Sequence, residues 1–455
     1  MTAVSHPPQP PQPPQPPPPQ PRPTTAAPPA PRELLRAVTT PQKLRRLLFG
    51  LVVLCLIWGA VAAWVVSQRA SGAADVVSTS EPVSLDGQQI YRALSDADAT
   101  AATAFLSGGQ EPIAARHRYQ ADIAQAASRL EAATAIAGHS AAARGLAALS
   151  AALPVYAGEV ETARADNRLG LPLGAAYLRE ASSLMRGTLL PAARDVSAQA
   201  DAQLTADSGR ATGLPLALLV VASAALVGLV LYRAQRWLSQ RTHRVLNPGL
   251  LVASAAAALS LLWLIVALGV ARADLLQARD HGSAPVAALA QADIAALQAR
   301  TDEGLTLIDA GGDDAFQADF TATAHRLGPG PGTLLTDAVT AARGSPAAAS
   351  AVAAARAATA WYAAHRTVRS LDNNGKHTQA VQLVITSGPG HSGTLFARLD
   401  GSLTGAVAAD QAVFRTNAVA GRGAFTGLEL GVIAASLVMA AGSARGVSQR
   451  LAEYR

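Results

Sequence analysis

Four long apolar segments constrain the fold of this chain more than any other feature of its sequence. Residues 47–66 read LLFGLVVLCLIWGAVAAWVV, and residues 211–232 and 249–271 are also free of charged side chains. A fourth segment, residues 427–444, carries one charge, that of Glu429. Because an α-helix rises about 1.5 Å per residue, roughly 20 residues span the ~30 Å hydrocarbon core of a bilayer. The sequence therefore predicts four transmembrane helices.

Basic residues at the ends of these segments predict their orientation. They cluster before the first segment, between the second and the third, and after the fourth. Because cytoplasmic loops carry an excess of Lys and Arg, both termini and the central loop are expected in the cytoplasm of a cell-membrane protein. The first segment is expected to be an uncleaved anchor, since its charge-free run exceeds the ~7–15 residues of a signal-peptide core.

This orientation implies the following division of the chain. The parts are a Pro-rich disordered cytoplasmic tail (1–46), a first span (47–66), an outer domain (67–210), a second span (211–232), a basic cytoplasmic loop (233–248), a third span (249–271), a second outer domain (272–426), a fourth span (427–444) and a cytoplasmic tail (445–455). Proline dominates residues 7–31, which favours an extended polyproline II tail that serves as a spacer or docks a partner.

Both outer domains are predicted to be helical bundles. Aromatic residues make up only 4% of the chain, and alanine, the strongest helix former, contributes most to its apolar half. In the first domain, glycines at 108–109, Gly138 and the segment 166–174 (DNRLGLPLG) separate four helical stretches. Four helices between two spans predict an up-down-up-down bundle. The expected fold class is an all-α membrane protein with two extracytoplasmic four-helix bundles.

The two halves of the chain share a spacing. Residues 155–168 read VYAGEVETARADNR and residues 361–374 read WYAAHRTVRSLDNN, so that Tyr-Ala and Asp-Asn recur 206 positions later. The first and third spans begin 202 positions apart. These offsets predict a tandem direct duplication of a two-span module.

The repeated Asp-Asn pair has two readings. It marks a turn between the third and fourth helices, where Asp and Asn side chains commonly bond local backbone. Alternatively, arginines beside it form a polar cluster that binds a carboxylate ligand or a docking protein. The candidate residues are Arg164, Asp166, Asn167, Arg168, Arg369, Asp372 and Asn373.

Two further sets of residues have candidate roles in transmission. Glu429 either reaches water at the outer interface or couples the spans through an interhelical polar contact. Basic residues on the inner side are candidates for contact with a cytoplasmic partner, namely Arg236, Arg241, Arg244, Arg450 and Arg455. A basic inner rim also suits anionic lipid, so we do not interpret it as a nucleic-acid surface.

The sequence offers no catalytic or metal-binding motif. Cys55 is the only cysteine, and the nine histidines form neither HxxxH nor HExxH. The expected reading of each histidine is a solvated or hydrogen-bonded surface residue. The inner segments are also too short for an enzyme domain of at least ~50 residues. We therefore expect a protein without enzymatic activity, cofactor or metal.

Three passages carry a family resemblance. The stretches YRALSDADATAATAFLSGG and ETARADNRLGLPLGAAYLREASSLM, with the terminal RLAEYR, resemble actinobacterial GlnX-type four-span membrane proteins. That resemblance implies two partners, a glutamine/glutamate-binding lipoprotein (GlnH) outside and serine/threonine protein kinase G inside. It implies a transducer that relays extracellular glutamate, aspartate or glutamine availability to the kinase.

Other functions stay open at this point. The chain could be a structural scaffold of the cell envelope, or a direct sensor of a small ligand that acts through another partner. Transport is disfavoured, because Pro215 and Glu429 interrupt the spans only near their outer ends. The sequence leaves a homodimer open.

Overall fold

A computed structural model describes most of the chain from residue 40 to residue 452. The described residues are 40–138, 140–242, 247–278, 284–309, 314–328, 330–423 and 425–452. Every regular element within them is a helix. The all-helical class predicted from the sequence is confirmed for these residues, and the Pro-rich tail lies outside them.

Four helices are long and apolar enough to cross a membrane. They include α1 (Thr40–Asp75), α7 (Leu214–Thr242), α8 (Pro248–Ala278) and α15 (Leu428–Ala452). Both α15 and α7 pack against α1 and α8. Leu218, Leu262 and Leu430 on their outer faces are more than half exposed, as side chains that face lipid would be. These helices fit a multi-pass membrane protein, and their orientation stays a prediction.

Small residues let α15 approach its neighbours closely. Gly442 and Gly446 lie four residues apart on α15 and face Gly249 of α8, where a Cβ at Gly446 would meet backbone atoms at 3.0–3.2 Å. The Asn247 side-chain amide donates to the Gly446 carbonyl at 2.7 Å. Such small-residue contacts with an interhelical hydrogen bond are typical of helix pairs in membranes.

The first helical bundle, bundle 1, lies between α1 and α7. Its helices are α2 (Glu81–Phe105), α3 (Ile113–Ala137), α4 (Ala143–Arg168), α5 (Leu173–Leu184) and α6 (Leu190–Thr212). A π-helical turn, Val76–Ser80, joins α1 to α2 without a break. The resulting helix runs over Gln42–Phe105, 64 residues, or roughly 95 Å at 1.5 Å per residue. One rigid element therefore extends from the first span to the far end of bundle 1.

The second helical bundle, bundle 2, has more interruptions than the four helices that the sequence suggested. Its helices are α9 (Ala284–Ile308), α10 (Ala315–Leu327), α11 (Leu334–Ala341), α12 (Ala348–Asn373), α13 (His377–Ile385) and α14 (Ser392–Gly423). Gly-Pro segments separate α10 from α11 and α13 from α14. Proline lacks an amide donor and glycine is a poor helix former, so these segments break the second and fourth helical stretches.

Each bundle encloses a buried carboxylate. In bundle 1, Asp98 accepts hydrogen bonds from Ser182 Oγ at 2.8 Å and from Tyr156 Oη at 3.2 Å. Burial raises the pKa of Asp98, and these hydrogen bonds oppose the rise. In a core rich in alanine, the three side chains connect α2, α4 and α5.

In bundle 2, Glu303 holds the corresponding place and is fully shielded from solvent. It accepts from Ser392 Oγ at 2.6 Å and from Trp361 Nε1 at 3.3 Å, and it lies 3.1 Å from His365 Nδ1. It also pairs with Arg300. Burial alone would raise its pKa, but Arg300 and the hydrogen bonds outweigh burial and lower the pKa to about 2. His365 is therefore a buried network residue, and its predicted place at the surface was wrong.

The two networks use corresponding positions in the two halves. Asp98 and Glu303 lie 205 positions apart, and so do Tyr156 and Trp361. Tyr156 donates to Asp98 as Trp361 donates to Glu303, so Tyr156 corresponds to Trp361 rather than to Tyr362. This parallel is what a duplicated module would produce, although duplication itself stays a prediction.

Candidate functional site between the bundles

Helices α2 and α9 bring the two bundles together. They pack along each other, and most of their residues are buried. A Cβ built on Gly304 of α9 would lie 3.2 Å from the Ala102 Cβ of α2. Because the facing residues are small, the two backbones approach closely, and polar side chains along α2 and α9 meet across the contact.

Arginines of bundle 1 pair with carboxylates of bundle 2. Arg92 on α2 bonds Asp293 at 2.7 Å and Asp400 at 2.6 Å. Arg186 bonds Asp302 at 2.5 Å, and Arg179 pairs with Asp309 near the far end of α9. The carboxylates of these pairs are mostly buried, whereas the arginines stay partly exposed. Such charge complementarity favours one register of the two bundles.

The Arg92 contact belongs to a larger cluster with an excess of carboxylates. Arg118 on α3 reaches Asp96 at 2.9 Å and Asp400 at 3.2 Å. Asp122 and Asp293 complete the cluster, which then holds four carboxylates and two guanidinium groups: Asp96, Asp122, Asp293, Asp400, Arg92 and Arg118. The arginines can neutralise only half of the carboxylates.

Two of these carboxyl groups respond to the imbalance. Burial, with the charge of neighbouring carboxylates, raises the pKa values of Asp122 and Asp293 to about 7, although Arg118 and Arg92 oppose the rise. Each has one buried oxygen without a hydrogen-bond partner, Asp122 Oδ2 and Asp293 Oδ1. Burial raises the pKa of Asp302 to about 6 despite Arg186. The contact between bundles therefore binds protons near neutral pH.

A cleft opens beside this contact, between α2 and α6 of bundle 1 and α9 and α10 of bundle 2. Its central cavity has a volume of about 430 Å³. It continues into a hollow of about 270 Å³, with which it shares Tyr91, Arg194 and Gln298. Towards α14 it continues into another of about 220 Å³, with which it shares Gln88 and Asp201. The volume lies in the range of small-molecule sites, ~300–1,000 Å³.

A chain of hydrogen bonds crosses the central cavity. Arg194 Nη2 donates to Tyr91 Oη at 3.3 Å, and Gln298 Nε2 donates to the same oxygen at 2.9 Å. Arg326 Nη2 donates to Gln298 Oε1 at 3.4 Å. These partners of Arg194 and Arg326 are neutral, so both guanidinium groups keep donors for an anion.

The candidate residues at the first turn stabilise bundle 1. Arg164 is buried, stacks on the Tyr119 ring at 4.1 Å and pairs with Glu111 at 3.2 Å. Asn167 Nδ2 donates to the carbonyls of Phe105 and Gly108, which connects the turn to the end of α2. The carbonyl of Asp166 accepts from the Leu171 amide at 2.9 Å, and the Arg168 side chain is exposed.

The candidate residues at the second turn also bond within their own bundle. Arg369 pairs with Asp372 at 2.7 Å, and Asp372 lies 2.8 Å from His377 Nδ1. Asn373 is exposed and lines, with Arg369, an open hollow of about 640 Å³ on the surface of bundle 2. Among the described residues, no hydrogen bond or ion pair joins the two turns. The binding role of either turn stays a prediction.

The remaining candidates lie on α7 and α15 or beyond the ends of these helices. Glu429 is exposed in the first turn of α15, and Arg236 is exposed on α7. Arg241 and Arg450 lie on helices, but their side chains are outside the described part, as are Arg244 and Arg455 altogether. Their proposed roles in coupling and partner contact stay predictions.

The junction between bundle 1 and the second span is held by two arginines. Arg69 of α1, only 2% exposed, donates to the carbonyls of Ala211 and Gly213. Arg272 of α8 donates to the Thr212 carbonyl at 2.9 Å. Gly213 is the non-helical residue between α6 and α7. Helices α1 and α8 therefore both contact the residues at which α6 passes into α7.

Sequence reasoning missed the cleft, the charged cluster and this junction. The available signal was charge within alanine-rich helices, since Asp293, Arg300, Asp302 and Glu303 all lie on α9. Buried charges must be paired, so their number predicts polar contact partners. It does not say which other segment supplies them.

Comparison with known proteins supports a sensing role. Residues 72–209 match the family described as the actinobacterial sensor domain. The match begins in the last turn of α1 and ends in α6, so it covers bundle 1. No curated protein and no solved structure matches the chain. The match supports an actinobacterial sensor-type protein with a signalling role.

Proposed function

We propose that this protein is a non-enzymatic transmembrane transducer whose outer bundles respond to extracellular amino acids. Glutamate, aspartate or glutamine would be delivered by a GlnH-like solute-binding lipoprotein, and serine/threonine protein kinase G would receive the signal inside. The sensor-domain match supports the sensing part. The lipoprotein and the kinase rest on the resemblance of the sequence to GlnX-type proteins.

One structural observation carries the proposal. The contact between the bundles is made by α2, which continues without interruption into the first span. A change in the packing of α2 on α9 therefore moves or rotates a helix that crosses the membrane. Shifts of about 1–2 Å are typical of such helix movements. A ligand or partner produces them only if it binds one arrangement more tightly than the other.

A disulfide across the contact tests the proposal directly. Ala102→Cys with Gly304→Cys, in a Cys55→Ser background, places two Cβ atoms about 3.2 Å apart, close to the 3.5–4.5 Å of a disulfide. Oxidation should lock α2 to α9 and remove the amino-acid-dependent activity of the kinase, and reduction should restore it. Each single cysteine variant is the matched control and should respond normally in both states.

The outcome separates a transducer from a scaffold. A locked protein that still transmits the signal would show that relative movement of the bundles is not the route. A structural envelope protein should give no kinase response in any of these variants. A direct sensor that acts through another partner should still undergo the ligand-dependent change at the α2–α9 contact when the lipoprotein is absent.

Orientation needs its own test, since the proposal requires both bundles outside the cell. Ser150→Cys and Ala349→Cys, each without Cys55, should react with a membrane-impermeant maleimide on intact cells. Arg236→Cys on α7 should react only after permeabilisation. The reverse pattern would place both bundles in the cytoplasm and remove the basis for an extracellular signal.

A further inference from the structure

The central cavity of the cleft has a charge pattern that selects a ligand. Three charged side chains line it, Arg194 from bundle 1, Arg326 from bundle 2 and Asp201 from bundle 1. The two guanidinium groups and one carboxylate leave the cavity with one net positive charge. A complementary ligand would carry two negative groups and one positive group.

The charges lie in two different parts of the cavity. One part, with the two arginines, suits an anion, and the other, with Asp201, suits a cation. Arg194 and Arg326 are connected through Tyr91 and Gln298, so they lie around one region of the cavity. Guanidinium groups bind carboxylates through paired N–H donors. Two such groups with neutral partners can accept a carboxylate each, one from each bundle.

The other region of the cavity offers acceptors. Asp201 accepts from Ser84 Oγ and lies where the central cavity continues towards α14. Gln88 lines the same part of the cleft, and its Oε1 is buried without a hydrogen-bond partner. A buried acceptor left unpaired costs free energy, so a ligand N–H that reaches it would be favoured.

We propose that the cleft between the bundles binds a small dicarboxylate bearing one ammonium group, an acidic amino acid. Arg194 and Arg326 hold the two carboxylates, and Asp201 with Gln88 receives the ammonium group. This inference rests on the proposed function and deepens it, because the same ligand would contact α2 and α6 of bundle 1 and α10 of bundle 2 and favour one packing of the bundles. It adds a direct site on this chain to the signal brought by a lipoprotein.

Calorimetric titration of the purified full chain in lipid nanodiscs tests the site, with L-glutamate as the probe. Glutarate has the carboxylates without the ammonium group, and 4-aminobutyrate has the ammonium group with one carboxylate. L-glutamate should bind more tightly than both. Inorganic phosphate tests for a site that recognises only an anion, and equal affinity for phosphate would overturn the proposal.

Variants separate the roles of the cavity residues. Arg194→Gln and Arg326→Gln should each weaken L-glutamate binding by roughly tenfold or more, since each removes charged hydrogen bonds. Both side chains are exposed, so the fold should survive the exchange. Asp201→Asn should remove the preference for L-glutamate over glutarate and leave glutarate binding intact. Unchanged L-glutamate affinity in the Arg194→Gln and Arg326→Gln variants would refute the assignment.

Arginines outside the cleft provide the controls. Arg144→Gln and Arg366→Gln change exposed arginines of the two bundles outside the cleft and outside the turns, and they should leave the affinity unchanged. Loss of binding in Arg168→Gln or Arg369→Gln would instead move the site to a turn and overturn the assignment. Absence of L-glutamate binding, with capture of the lipoprotein retained, would overturn this inference and leave the proposed function standing. If L-glutamate binds but the disulfide between positions 102 and 304 does not change kinase output, this inference would stand and the proposed function would be overturned.

Discussion

Replacing Asp293 by asparagine should remove much of the pH dependence of the contact between the bundles. Asp293 is 2% exposed, and burial with the neighbouring Asp400 charge raises its pKa from 3.8 to about 7. Once the contact opens, the carboxyl group meets water and its pKa returns towards the ordinary value. The closed state therefore holds a proton that the open state releases.

The sign and size of the effect follow from this difference. Below about pH 4 both states are protonated, and the full stability of the contact is present. Between about pH 4 and pH 7 the free energy of opening falls by about 1.4 kcal/mol per pH unit for this group. The shift of about three units corresponds to roughly 4 kcal/mol. The amide of the Asp293→Asn variant stays neutral at every pH, so opening should cost up to this amount more at pH 8 than in the natural chain.

Hydrogen exchange provides the assay. Amides of α2 and α9 in the full chain, in lipid nanodiscs, report the free energy of opening after correction for intrinsic exchange rates. Protection in the Asp293→Asn variant should exceed that of the natural chain by roughly 1.5 kcal/mol at pH 5 and by roughly 4 kcal/mol at pH 8, as the pKa shift of Asp293 requires. Protection in the variant should still fall with pH, but less steeply, because the pKa values of Asp122 and Asp302 are also raised.

A second carboxylate of bundle 2 is the matched control. Asp337 is exposed on α11 and lies outside the charged cluster, so Asp337→Asn should leave the pH profile unchanged. Lower protection of Asp293→Asn at pH 8 would mean that Arg92 requires an ionised partner there. That result would refute the argument that the excess of carboxylates governs the contact.

Three further predictions concern bundle 2, the junction and the spans. Glu303→Gln should destabilise bundle 2 by about 3–5 kcal/mol, because it leaves Arg300 buried without its counter-charge. Thermal unfolding measures this loss of stability. The control is Glu429→Gln, which changes an exposed carboxylate and should alter the stability little. Arg69→Gln should weaken the response of the kinase while L-glutamate binding persists, since only the junction at residues 211–213 is altered; loss of binding as well would contradict that role. Gly446→Val should disrupt the packing of α15 on α8, which cross-linking between the two spans would detect as lost proximity.

The individual helices and their ends could be predicted from the sequence because the signals for them lie within single segments. Apolar runs of about 20 residues and breaks at glycine and proline are properties of single segments. They predicted four spans and helical stretches between them. The described residues contain four helices long and apolar enough to cross a membrane, and every regular element between these is a helix. The interruptions in bundle 2 also coincide with Gly-Pro segments that the sequence marks as loops.

The candidate site could not be found in the same way, because it exists only between segments. Arg92 and Asp293 are 201 positions apart and meet because α2 and α9 pack together. Nothing in the periodicity of either helix distinguishes a buried arginine at an interface from one on a solvated face. The Asp-Asn turns drew attention because they recur in the sequence, whereas their described contacts lie within each bundle.

The contact between the bundles combines features suited to two states of similar free energy. Small residues allow close packing of α2 on α9, which favours the closed arrangement, while the excess of carboxylates over arginines around Asp122 and Asp293 opposes it near neutral pH. A contact stabilised only by apolar packing would need a large input to open. Because part of the stability is offset by charge, a ligand with a modest preference for one arrangement can shift the population. Protonation and ligand binding at this contact should therefore be thermodynamically linked, so that a change in pH alters ligand affinity.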